Sequence, residues 1–337
     1  VFGSLFLVLL GCSDNLPTAP ERPNLAVRRI PTYTAVDLTA LSQGLYMGKA
    51  EDISATGVIV GSQDGYPYVW RSVQGPFGPL STPPNLPGGS ATAISNDGDW
   101  IVGSVGYNGE ATVWDPSGQP TLLGSLGGSP THAKAVNRAG DVVGWGVTAS
   151  GDLHAFVSLA ANRLMTDLGT IPGASPSGQT LAYDINDAGL VVGCGNGPQG
   201  NYVMFQWTAR SGMVDLGAPA NGNACADAVN KSGEIAGWAT NPVDNGMTWT
   251  SSRGFLFHAT APYGSYAADI SDGGLAVGYE NSYRAYVADR RGAVSYLPLL
   301  SSGSASLANG INACGDAVGY ESGSSLRAVL WSGGKCP

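Results

Sequence analysis

A single nine-residue pattern recurs along this chain and constrains its fold more than any other feature. Ile185 to Gly193 reads INDAGLVVG, and VNRAGDVVG, VNKSGEIAG, ISDGGLAVG and INACGDAVG repeat the plan. Written as [Ile/Val]-[Asn/Ser]-x-x-Gly, it has seven copies, starting at Ile53, Ile94, Val136, Ile185, Val229, Ile270 and Ile311. Their spacings are 41, 42, 49, 44, 41 and 41 residues. A period of this length belongs to stacked supersecondary units rather than to independent domains, so a chain of 337 residues reads as one array.

Each copy predicts four strands. A first strand carries Ala three positions before the anchor, as in Ala50, Ala133 and Ala226, and a tight turn follows. Asn or Ser at the turn's first position caps its backbone, and Gly at the fourth takes the left-handed conformation. The second strand is read as ending at Gly61, Gly103, Gly144, Gly193, Gly237, Gly278 and Gly319. Third strands follow in PYVW, ATVW, HAFV, GFLF, RAYV and RAVLW, and fourth strands in RLMTDLG and GMVDLG. Composition agrees: the 50 glycines are about twice the usual share and no apolar run keeps helical spacing. A lone four-stranded sheet cannot bury both faces, so the units stack. The expected fold is all-β, a seven-bladed β-propeller. The last repeat lacks a fourth strand after Trp331, whereas YTAVDLTAL, Tyr33 to Leu41, precedes the first anchor. That N-terminal segment is expected to complete the seventh blade as its outermost strand. An open β-solenoid is the alternative.

The coupling of the hairpin to His154-Ala155-Phe156 and to Asp167-Leu168-Gly169 and Asp215-Leu216-Gly217 resembles the bacterial extracellular HAF repeat family over nearly all of Tyr33 to Trp331. The resemblance implies a secreted or surface-attached protein and carries over no functional residues. The first residues, VFGSLFLVLLGC, resemble the lipobox of bacterial lipoprotein signal peptides, without an initiator Met or basic region. The resemblance implies a lipid on Cys12 and, with Ser13 next, an outer-membrane or extracellular location. The apolar run is too short to span a bilayer as a helix. The expected organisation is a truncated signal peptide over 1–11, a Pro-rich tether over 12–32 and the propeller over 33–337.

Besides Cys12, four cysteines remain, with three possible pairings. The blade order favours Cys194–Cys225 between neighbouring blades and Cys314–Cys336 within the last; four unpaired thiols are the alternative.

The formal charge of −9 leaves no clustered basic surface for nucleic acid. No metal or nucleophile motif is present, and no cofactor is expected. Gly195 to Gly200 matches G-x-G-x-x-G but leads into a strand, so no helix N-terminus faces a phosphate. His154 reads as a surface strand residue. Trp70, Trp114, Trp207 and Trp331 share one place at the end of the third strand and read as packing between sheets. Function is expected on the face bearing the variable loops, where Trp145, Trp238, Tyr279 and Tyr320 stand at the loop mouths. Asp244 and Trp249 are placed in a long blade-five loop, WATNPVDNGMTWTSSR. The chain therefore reads as a monomeric, lipid-anchored module that binds an extracellular glycan or protein. Two alternatives stand: a polysaccharide hydrolase or lyase using an acid/base pair drawn from His132, Asp244 or Glu280, and a purely structural envelope protein.

Overall fold

The computed structural model describes residues 30–42, 47–71, 73–106, 108–220, 222–240, 242–260, 264–300 and 304–333. The strands form seven four-stranded antiparallel sheets, and Leu38–Leu41 is a single helical turn. The fold is a seven-bladed β-propeller. In blade four, the strands Thr180–Ile185, Val191–Asn196, Tyr202–Thr208 and Gly212–Gly217 lie side by side from the axis outward. The seventh blade joins both ends of the chain. Its three inner strands are Ala305–Ile311, Ala317–Ser322 and Leu326–Ser332, and Thr34–Asp37 pairs outside them, with Val36 opposite Leu330. The Tyr33 hydroxyl donates to the Gly315 carbonyl (3.0 Å) and secures this closure. Residues 1–29, including Cys12 and most of the expected tether, lie outside the described residues, as does Cys336.

The recurring turn has the expected chemistry. Asn186 Oδ1 accepts the N–H groups of Ala188 (3.0 Å) and Leu190 (3.1 Å), and Gly189 sits at φ +75°. The Asn side chain has a second use. Asn186 Nδ2 donates to the Asn230 carbonyl of the next blade (3.1 Å), Asn230 Nδ2 to Ser271 (3.2 Å), and Asn312 Nδ2 to Ser54 across the closure (3.3 Å). A serine caps its own turn but is too short for that stitch.

The glycine expected to end the second strand lies in its middle. Gly193 pairs with Ala182 at a β-bulge, and the strand continues to Asn196. A Cβ on Gly193 would run into the Leu181 carbonyl oxygen, and the other six copies meet the same obstacle. The invariant Gly is therefore a close-approach position, where the bulged inner strand leaves no room for a side chain.

Seven apolar clusters fill the wedges, one for each pair of neighbouring blades. Trp70, Trp114 and Trp331 are wholly buried in three of them, and burial of each contributes on the order of 2–3 kcal/mol. The Cys194–Cys225 disulfide is formed, with a Cα separation of 4.8 Å, and ties the second strand of blade four to the inner strand of blade five. Cys314 is disulfide-bonded as well; Cys336, its expected partner, is outside the described residues.

Blade five departs from the sequence reading. Asp244–Thr250 is its third strand and Gly254–Phe257 its fourth, so the supposed long loop is largely a strand. Trp249 stands opposite Ile235, as Trp70 does opposite Ile59. It is the fifth member of the packing tryptophans and not a loop residue. The sequence misled because GFLF is as apolar as an inner strand, while DNGMTWT begins with turn-forming residues.

Candidate functional site

Each inner strand runs toward the tight turns, so the loops after second strands and the connections between blades share the opposite end. Two residues per blade guard that end: one before the recurring Ala on the inner strand, and its cross-strand partner just past the recurring Gly. Blades one and two place Lys49 with Ser62 and Ser90 with Ser104 there. Blades three, five, six and seven place His132 with Trp145, Cys225 with Trp238, Tyr266 with Tyr279, and Leu307 with Tyr320. The mouth is thus small and polar on one side and aromatic on the other.

The aromatic side contains a recess of about 370 Å³ lined by Tyr183, Asp227, Trp238, Tyr266, Ala268, Tyr279 and Asn309. Trp238 meets Tyr266 edge-on at 6.1 Å between ring centroids, and Tyr266 meets Tyr279 at 5.5 Å. It opens inward, because Tyr183, Asp227, Ala268 and Asn309 also line the channel proper, together with Glu51, Thr92 and Lys134. Lys134 lies over the Tyr183 ring, 5.9 Å from its centroid. Burial lowers the Lys134 pKa, an effect that Glu51 and Asp227 oppose. Burial likewise raises Glu51, and it pushes Asp227 up to about 7 against the pull of Lys134.

Deeper, three carboxylates have a structural task. Asp52, Asp184 and Asp269 occupy one position of the inner strand in blades one, four and six, and each accepts two backbone N–H groups. Asp184, for example, binds Ile185 in its own blade and Val229 in the next, both at 2.7 Å. Burial pushes Asp184 up to about 7 despite these bonds and also raises Asp52 and Asp269. At the turn end the channel narrows to a cavity of about 90 Å³. Charges there are matched within the chain, Lys231 to Asp272 (3.1 Å) and Arg138 to Asp187 (3.6 Å).

Of the residues singled out in the sequence, the structure brings Trp238 and Tyr279 together in the recess. Trp145 is two blades away, its ring 4.1 Å from His132. Tyr320 stands beneath the Lys49 ammonium, 5.0 Å from its centroid. Asp244 begins the third strand of blade five and accepts the Thr240 hydroxyl (2.8 Å). Glu280 points away from the mouth, where its carboxylate accepts the hydroxyls of Tyr296 and Ser282. Among the described residues, none of His132, Asp244 and Glu280 lines the recess or the channel. Sequence reasoning missed Tyr266, Tyr183, Asp227 and Asn309. Their signal was the pair of positions flanking the constant Ala, which turn toward the mouth and channel while the Ala packs between blades.

A buried polar network supports this corner. The His258 Nδ1–H donates to the Tyr286 oxygen (3.0 Å), and the Tyr286 hydroxyl donates to the Tyr266 carbonyl (3.1 Å). Burial pushes His258 down to about 4, so the ring is neutral. The apolar cluster beneath, between blades five and six, consists of Ala228, Ala236, Ala267, Ile270 and Ala276 and is the smallest of the seven.

No family model matches this chain, and no curated protein sequence does. Among solved structures it is similar to a chain of the mitotic checkpoint complex, with 17% identity and a TM-score of 0.54 over 97% of this chain and 99% of that one. It is also similar to prolyl endopeptidase, with 13% identity and a TM-score of 0.57 over 89% of this chain; it spans 52% of that chain. The β-propeller domain of the Trilobed protease from Pyrococcus furiosus, described as having an open velcro topology, matches with 12% identity and a TM-score of 0.54 over 87% and 94% of the two chains. At such identities the likeness shows the propeller fold alone.

Proposed function

We propose that this chain is a binding module whose ligand, an extracellular glycan or a protein segment, seats in the aromatic recess at the loop end of the channel. The observation that carries this reading is the clustering of Trp238, Tyr266 and Tyr279 above polar Asp227 and Asn309. Flat rings offer stacking surface at small entropic cost, and a few convergent polar groups fix orientation. Dispersal of His132, Asp244 and Glu280 supports binding over the acid/base reading. On this account Cys12 carries a lipid, the repeats are of the HAF type, and the molecule sits outside the cytoplasm at a cell envelope. A glycan array and a pull-down from envelope extract, run with wild type, Trp238→Ala and Trp145→Ala, test the site. Loss of retention with Trp238→Ala alone is expected; equal retention by all three removes the assignment. Globomycin-sensitive processing and labelling of Cys12 by a palmitate analogue test the anchor.

A further inference from the structure

Building on that assignment, we infer that the recess is a cage for an organic ammonium group, with Trp238, Tyr266 and Tyr279 as its walls and Asp227 as its counter-ion. Three observations lead there. The rings present π-faces and edges to one cavity, and a cation over such faces is attracted by their quadrupoles. Among the described residues no lysine or arginine covers these three rings, whereas Lys49 covers Tyr320 and Lys134 covers Tyr183. The chain therefore uses ammonium-on-tyrosine contacts on either side of the recess and leaves the recess itself open. Asp227, finally, is half-buried, lines both recess and channel, and has no hydrogen-bond or ion-pair partner among the described residues. A carboxylate partly withdrawn from water and lacking a partner is poised to take one, and a cation delivered by a ligand supplies it.

The groups facing Asp227 set its behaviour. Lys134 lies on the channel side with Glu51 beyond it, and Tyr183, Tyr266 and Tyr279 stand around the carboxyl. Asp244 acts on Tyr266 from the rim. With Asp227 held near pH 7, a permanently charged ammonium binds more tightly as pH rises and the carboxyl ionises.

Isothermal titration of the purified protein with choline, and with its neutral analogue in which carbon replaces the nitrogen, tests the inference. Choline is expected to bind about tenfold more tightly than the analogue and more tightly at about pH 8 than at about pH 6. Asp227→Asn should erase the preference and the pH dependence. Lys134→Gln, which removes the cation that lowers the Asp227 pKa, should move the rise in choline binding to higher pH. Equal binding of the two probes, or an unaltered preference in Asp227→Asn, overturns the ammonium cage while leaving the recess a binding site. Undiminished choline binding by Trp238→Ala overturns both. Absence of binding by either probe overturns the cage, and the glycan and extract screens then decide the broader reading.

Discussion

At the scale of the residue, the repeated hairpin separates two glycines with different tasks. Gly189 is in open space at φ +75°, so Gly189→Ala costs only backbone strain, about 1–2 kcal/mol. Gly193 has an ordinary φ but no room, and Gly193→Ala must displace the inner strand of its blade. Urea unfolding is expected to show a clearly larger loss for Gly193→Ala; equal losses would contradict the close-approach account. Asn186 separates in the same way. Asn186→Ser keeps the turn and loses the bond to Asn230, whereas Asn186→Ala loses both, for about 1–3 kcal/mol in all. The turn was legible because Asn or Ser followed by Gly three residues on is a local signal. The stitch was not, because its acceptor lies 44 positions away.

At the scale of the element, the recurring motif names acquire partners. His154 of the HAF stretch pairs with Asp167 of the DLG stretch at 2.8 Å, two strands that the register places side by side. Arg327 and Asp37 make the equivalent pair in the closing blade. In blade six Arg284 lies 4.1 Å from the Tyr296 ring centroid instead. In these three blades the third and fourth strands share a basic-to-acidic or basic-to-aromatic clasp, and Asp37-Leu38 stands in the closing blade where Asp167-Leu168 stands in blade three. The misreading of blade five arose because its clasp position holds Asn245, a turn-forming residue type, where the motif elsewhere carries His154, Arg284 or Arg327, so the sequence did not mark the strand. Blades four and five are held by Cys194–Cys225, whose cysteines are 31 positions apart and which contributes about 3–4 kcal/mol through the unfolded chain. Cys194→Ser/Cys225→Ser should lower the urea midpoint without changing the circular dichroism spectrum. An unchanged midpoint would mean that the bond constrains nothing.

At the scale of the whole molecule, the ring depends on its ends meeting. Removing residues through Asp37 leaves Leu326–Ser332 as an uncovered edge beside Trp331 and is expected to give aggregation or a much lower melting temperature. Titration gives a second global prediction. Asp184 and Asp227 have folded pKa values near 7, above those of the unfolded chain, so the folded state holds extra protons and stability falls as pH rises from about 4 to about 7. His258, depressed to about 4, acts oppositely, losing stability as pH falls from about 6.5. Two strongly raised carboxyls, with Glu51, Asp52 and Asp269 in the same direction, outweigh one imidazole. The protein should melt at a higher temperature at about pH 5 than at about pH 7.5, with a smaller difference in Asp227→Asn. A higher melting temperature at the alkaline pH would reverse the sign and refute the buried-acid description.

Most of this architecture was legible because repetition is a sequence property; the site was half legible because convergence is not. Trp238 and Tyr279 were visible as aromatics after a constant Gly, but only the ring brings them to Asp227 and Tyr266. Fluorine NMR of protein labelled with 5-fluorotryptophan reads that convergence directly, since eight tryptophans give eight separable probes. Titrated with choline and with the best-retained array glycan, the resonance assigned through Trp238→Phe is predicted to shift while those of Trp145 and Trp249 stay in place. Saturable binding that moves Trp145 or Trp249 and leaves Trp238 unchanged would contradict the recess as the ligand site.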